Sequence, residues 1–160
     1  MDQATKQGIV AELISLLTEG NAHVTFEAAV DELTPALWNQ AVPEGPYTIW
    51  QLAEHLRIAQ WDILQFCLDP AHESPEWPAG YWPAEGATAD EKTWHTTLDH
   101  IQRDRQQFID LLHVPATDLL APLPHGTGQT LLREALLVAD HAAYHTGQIV
   151  LLRRLLHAWE

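Results

Sequence analysis

Apolar residues recur at steps of three and four along most of the chain, with polar residues between them, and nowhere alternate with period two for long. That pattern predicts helices and no strand. Ile9, Leu13, Leu16 and Leu17 mark a first helix over residues 3 to about 18. Gly20-Asn21 breaks or kinks it. Phe26, Ala29, Val30 and Leu33 then face inward, with Glu27, Asp31 and Glu32 outward. This run stops before Pro35, since proline disfavours helix in the preceding residue. The two runs are one bent helix or two pieces. Residues 39–47, with Pro43, Gly45 and Pro46, read as a loop.

The cleanest pattern follows. Thr48 is placed as an N-cap with Gln51 as its capping-box partner. Ile49, Leu52, Leu56, Ala59, Ile63 and Phe66 then form the core stripe of a second bundle helix ending near Asp69-Pro70. A long connection over 70–88 carries four prolines and also Trp77, Tyr81 and Trp82. Three aromatics in six residues need somewhere to pack, so this is an ordered crossover rather than a loose linker. Connections of that length inside a compact domain are often functional, and this one permits the helices on either side to run parallel. Thr88 or Asp90 caps a third helix to about His113, buried through Trp94, Leu98, Ile101, Phe108, Leu111 and Leu112. After a Pro/Gly-rich loop over 114–129, a fourth helix starts near Thr130 and extends to about His157. Its stripe is Leu131, Ala135, Val138, Ala142, His145, Ile149, Leu152 and Leu156. The expected fold is an all-α four-helix bundle, one domain over residues 1–160.

Composition narrows the partners. With 8 basic and 22 acidic side chains the net charge is −14. Binding to nucleic acid or an anionic membrane requires Lys and Arg to neutralise phosphate, so neither is expected. One cysteine, Cys67, allows neither an internal disulfide nor a thiolate zinc cluster. No apolar run reaches the ~18 residues of a membrane span, and no basic-then-apolar leader opens the sequence. A cytoplasmic protein is the default expectation.

The candidate chemistry lies in the fourth helix, in Asp140-His141-Ala142-Ala143-Tyr144-His145-Thr146-Gly147-Gln148-Ile149. Residues i and i+4 share a helix face, so His141 and His145 can grip one metal ion. With 10 histidines in 160 residues, one pair at that spacing is near what chance supplies; position carries the argument. His145 interrupts a leucine stripe, and a buried imidazole must find a partner. Ala139, Ala142 and Ala143 leave room around the pair. His55, one position off the core stripe of the second helix, is the best third member. Three imidazoles would leave a coordination position open, as catalytic metal sites do. Neutral imidazole suits Zn, Ni, Fe, Co or Cu. The competing reading is three core histidines hydrogen-bonded to backbone or carboxylate.

Other residues are candidates for the pocket wall. Glu134 shares the face of His141 but stands about 10 Å away along the axis, as Asp62 does from His55; each is otherwise a solvated carboxylate. Trp82 in the aromatic crossover, Gln148 beside His145, and His23 near the Gly20-Asn21 kink complete the set. Asp140 and Glu54 are candidates to orient a ligand on a neighbouring helix. His72 and His125 read as loop residues, the latter within reach of a site mouth.

Trp50-Gln51-Leu52-Ala53-Glu54-His55-Leu56, the His141–His145 stretch and the tail Leu151-Leu152-Arg153-Arg154 together resemble the DinB-like family, damage-inducible-type bacterial proteins described as metal-dependent. The resemblance runs from about residue 10 to 157. It implies an up-down-down-up four-helix bundle and a divalent metal, commonly Ni or Zn, on His55, His141 and His145. It also implies frequent homodimers. Some relatives are thiol-dependent, S-transferases using bacillithiol and a mycothiol-dependent isomerase, which leaves three readings. These are a metal-dependent hydrolase or thiol S-transferase acting on a small molecule, a non-catalytic metal or small-ligand binding protein in stress response, and a structural homodimer.

Overall fold

The computed structural model describes residues 2–43 and 45–159, and among them the regular structure is all helical. In chain order the helices are α1 (Gln3–Thr18), α2 (Phe26–Val30), α3 (Pro35–Trp38), α4 (Ile49–Leu68), α5 (Glu91–His113) and α6 (Leu131–Leu155), with one 3-10 turn at Ala79–Tyr81. A lone antiparallel bridge joins Pro122 to Thr130. No helix of the described residues is long and apolar enough to cross a membrane.

The caps show why the elements start where they do. Thr48 Oγ1 accepts from Gln51 N at 3.3 Å while Gln51 Oε1 accepts from Thr48 N at 2.9 Å, the reciprocal capping box expected for α4. Asp90, not Thr88, caps α5 through its bond to Thr93 N. The run predicted over 26–33 is helical only to Val30, because Asp31 turns extended and Glu32 takes φ +56°. Pro35 is not what ends that run. It occupies the first turn of α3, where its missing N–H costs nothing. The last helix stops at Leu155, two residues short of expectation. His157 adopts φ +55°, and Ala158 N and His157 N return to the carbonyls of Arg153 and Arg154, a Schellman cap.

Helix α4 packs against α3, α5, α6 and the 3-10 turn of the crossover. The single stripe read from its sequence is therefore too narrow. Ala53, His55, Gln60, Asp62 and Leu64 are buried as well as Leu52, Leu56 and Ala59, whereas Ile63 and Phe66 are only partly covered. Two apolar clusters fill the interior. One joins Phe26, Val30, Trp38, Ile49, Leu52, Trp94 and Ile149. The other joins Val10, Leu13, Leu17, Leu64, Phe108, Leu112 and Leu131. The first lies against the crossover and carries Trp82 at its margin.

Outside the core, Lys6 closes the C-terminal end of α5. Its Nζ donates to the carbonyls of Val114, Pro115 and Thr117 at 2.9, 3.1 and 2.6 Å. Charged donors to helix-end carbonyls are favourable, but this site is partly open to water. Lys6→Met is expected to lower stability by about 1 kcal/mol, read as a fall of roughly 3 °C in a thermal melt.

Candidate metal centre

Helices α4 and α6 bring His55, His141 and His145 together, their ligand atoms all within 4.8 Å of one another. His141 Nε2 lies 3.1 Å from His55 Nε2 and 3.1 Å from His145 Nε2. The rings meet at steep angles, 71° and 79° to that of His141, so that nitrogens rather than ring faces converge. His55 is 4% exposed and His145 6%; His141 is partly buried.

Two of the remaining ring nitrogens have partners. His55 Nδ1 lies 2.7 Å from the Tyr81 carbonyl oxygen. A carbonyl only accepts, so Nδ1 carries the proton and Nε2 turns a lone pair to the centre. His145 Nδ1 likewise donates to Gln148 Oε1 at 2.7 Å, one turn along α6. Burial holds all three imidazoles below the usual histidine range. For His141 burial acts first, then the charges of His145 and His55, and the pKa falls to about 4. Three neutral imidazoles thus face one point, with at most one proton, on His141 Nε2, to share between two fixed lone pairs. One of the two 3.1 Å contacts therefore lacks a good hydrogen bond, whereas a cation at that point satisfies all three Nε2 atoms. The donor set fits a divalent transition ion.

The ring of His55 is also held from the side. Trp82 stacks on it with centroids 4.0 Å apart and planes 4° from parallel, and Tyr47 stacks on the far face of Trp82 at 4.0 Å and 9°. Tyr144 covers the outer edge of His145, centroids 4.9 Å apart, while itself 64% exposed.

Of the residues expected at the pocket wall, Trp82 and Gln148 touch the cluster. The other three do not join it. Asp62 is a buried carboxylate, not a solvated one. It accepts from Tyr81 Oη at 2.6 Å and from His72 Nε2 at 2.7 Å. Glu134 is also buried, ion-paired with Arg133, and its charge reaches Cys67. Burial and that charge push the Cys67 thiol up to about 12, too high for a nucleophile. His23 is exposed and bonded to the Val24 carbonyl. His125 binds the Phe66 carbonyl. Neither Asp140 nor Glu54 orients a ligand: Asp140 is exposed, and Glu54 is taken by Arg57 and Thr97. That orienting role falls to Tyr81 and Gln148. Tyr81 acts through its backbone, which side-chain patterns do not reveal, and Tyr47 lies in a stretch whose sequence reads only as loop.

An all-helical chain with three imidazoles gathered between two helices defines a class, the helical proteins with a candidate three-histidine metal site. The match to the model of the DinB superfamily spans residues 21–149, and the chain belongs to that family. The matched stretch is narrower than the resemblance read from sequence, leaving out α1 and the Arg153-Arg154 tail. Comparisons with curated proteins and with solved structures give no match.

Proposed function

We propose that the protein binds one divalent transition metal, Zn or Ni first among the candidates, through the Nε2 atoms of His55, His141 and His145. We propose further that it is a metal-dependent enzyme, a hydrolase or thiol S-transferase acting on a small molecule in the cytoplasm. The observation that carries this is the convergence of three neutral nitrogens, two of them with lone pairs fixed by Nδ1–H bonds to Tyr81 and Gln148. Bound there, the ion would supply Lewis-acid chemistry, lowering the pKa of a water or thiol at the position that three protein ligands leave open. The chain's own part is to fix the imidazole tautomers, to wall one side with Trp82, and to keep Tyr144 at the solvent edge. Cys67, with its raised pKa, is no substitute for an external thiol.

Family membership supports two finer readings, an up-down-down-up order of the four long helices and a homodimer. The 70–88 crossover is long enough for parallel neighbours, and light scattering on purified protein checks the oligomer. For the site, elemental analysis after loading and desalting is expected to give about one metal per chain, removed by a strong chelator with a fall in melting temperature. A protein that takes up no Zn, Ni, Co, Fe or Cu would sink the reading.

A further inference from the structure

His55 is the one cluster member contributed by α4, and it is held by residues of the crossover, a segment without α-helix. A loop carbonyl is a poor fixed point unless something fixes the loop. Here the fixing group is visible. Tyr81 supplies its carbonyl to His55 Nδ1 and, from the same residue, its hydroxyl to Asp62 Oδ2 at 2.6 Å. Asp62 lies two turns along α4 from His55 and is buried. Its other oxygen takes a bond from His72 Nε2 at 2.7 Å, and the His72 ring packs edge-on against Trp61, the residue preceding Asp62. Tyr81 is thus pinned at both ends to one helix, across two of its turns.

Resting on the metal reading above, we propose that Asp62, Tyr81 and His72 form a clamp that docks the 70–88 crossover on α4 and positions His55, fixing its Nδ1–H tautomer so that Nε2 faces the centre. Asp62 is a positioning residue in this scheme. At about 10 Å along the helix from His55, it does not reach a group held at the three nitrogens and acts only through Tyr81. The clamp also gives the buried carboxylate a use. A carboxylate out of water needs strong donors, and its two come from the segment it holds. Trp82, next in the chain, then stacks on His55 because Tyr81 has been placed. Partners that orient a metal-binding histidine typically change affinity by about 10- to 100-fold when lost.

The test reads the His55 tautomer directly, by two-bond proton–nitrogen correlation of the imidazoles in metal-free protein at neutral pH. Wild type is expected to show one form, protonated at Nδ1. Tyr81→Phe keeps the ring and the carbonyl but removes the hydroxyl bond. It is expected to add an Nε2–H form of His55 and to weaken zinc binding about tenfold. Asp62→Ala is expected to do the same. Asp62→Asn, whose amide can still accept from Tyr81 and donate to His72, is expected to keep the wild-type form. Lys6→Met, destabilised at the far end of α5, serves as control and is expected to leave His55 unchanged. A single Nδ1–H form retained in both Tyr81→Phe and Asp62→Ala overturns the clamp, as does equal release in Lys6→Met. If wild type takes up no metal, the metal reading falls on that result alone, and the tautomer still decides the clamp.

Discussion

Replacing His141 by alanine is expected to weaken metal binding by at least about a hundredfold while leaving the fold in place. Its Nε2 is the central atom of the cluster, 3.1 Å from each of the other two. Structural zinc sites with four ligands are worth roughly 10–16 kcal/mol, or about 3 kcal/mol for each ligand, and each 1.4 kcal/mol is a factor of about ten. The metal-free protein should hardly notice the change. His141 is only partly buried and sits mid-helix, where alanine is the best helix former. Truncation removes one hydrogen bond and also one unfavourable meeting of lone pairs, so the apo melting temperature is expected to move little. Competition against a chromophoric chelator measures the first effect, and melts with and without chelator measure the second. The wild type should lose stability to chelator and the variant should not. Wild-type affinity in the variant would remove His141 from the site.

The helices are legible in the sequence because their signals are local. Thr48 and Gln51 sit three apart, Asp90 precedes a stretch in which Trp94, Leu98 and Ile101 recur at helical spacing, and stripes in α4 and α6 repeat every three or four residues. Misreadings arise where tertiary contacts overrule that pattern. The run at 26–33 continues apolar to Leu33, yet the backbone turns at Asp31 and Glu32. The Arg153 side chain takes the carbonyls that turn exposes. Along α4, a stripe chosen by spacing puts Ile63 and Phe66 inside, whereas an element covered by three helices and a crossover buries Gln60, Asp62 and Leu64 instead.

The three histidines are legible for a different reason. His145 stands where the stripe demands an apolar residue, so the pattern alone makes its polarity call for a partner. Asp62 and Glu134 carry no such marker. Each lies at a place where a solvated carboxylate costs nothing, and burial shows only once His72 and Tyr81, or Arg133, are seen to cover it. Tyr81 is harder still. What it gives His55 is a main-chain oxygen, and any residue type offers one. Sequence assigns the aromatic crossover a packing role, and two of its three aromatics have one. Trp77 remains 72% exposed, leaning only on the edge of Tyr81.

The second large effect is expected at the C-terminal end of α6. Arg153 is 8% exposed, and one guanidinium nitrogen, Nη1, donates to the carbonyls of Ala29 and Asp31 at 2.8 and 3.0 Å. Its Nε donates to the Ala158 carbonyl at 3.0 Å, and its guanidinium lies 4.6 Å over the ring of Trp159. The fork therefore caps the C-terminal end of α2 and ties down the Schellman turn that ends α6. Burial lowers the Arg153 pKa, with Asp31 and then Glu32 opposing, and the carbonyls of Ala29, Asp31 and Ala158 hold its donors. Arg153→Met keeps the stem and removes the donors. Three carbonyls then lose a charged partner at about 1–3 kcal/mol each, offset by the desolvation that burying a cation had cost. A net loss of about 3 kcal/mol is expected, or roughly 6–12 °C in melting temperature for a chain of this size. Arg154→Met, one residue on and exposed, is expected to stay within about 0.5 kcal/mol. Metal affinity measured well below the melt should match wild type in both, since His145 lies two turns up the helix and touches neither. Wild-type stability in the Arg153→Met variant would show that α2 is held by its apolar face alone, through Phe26, Ala29 and Val30, and that the arginine fork adds nothing to it.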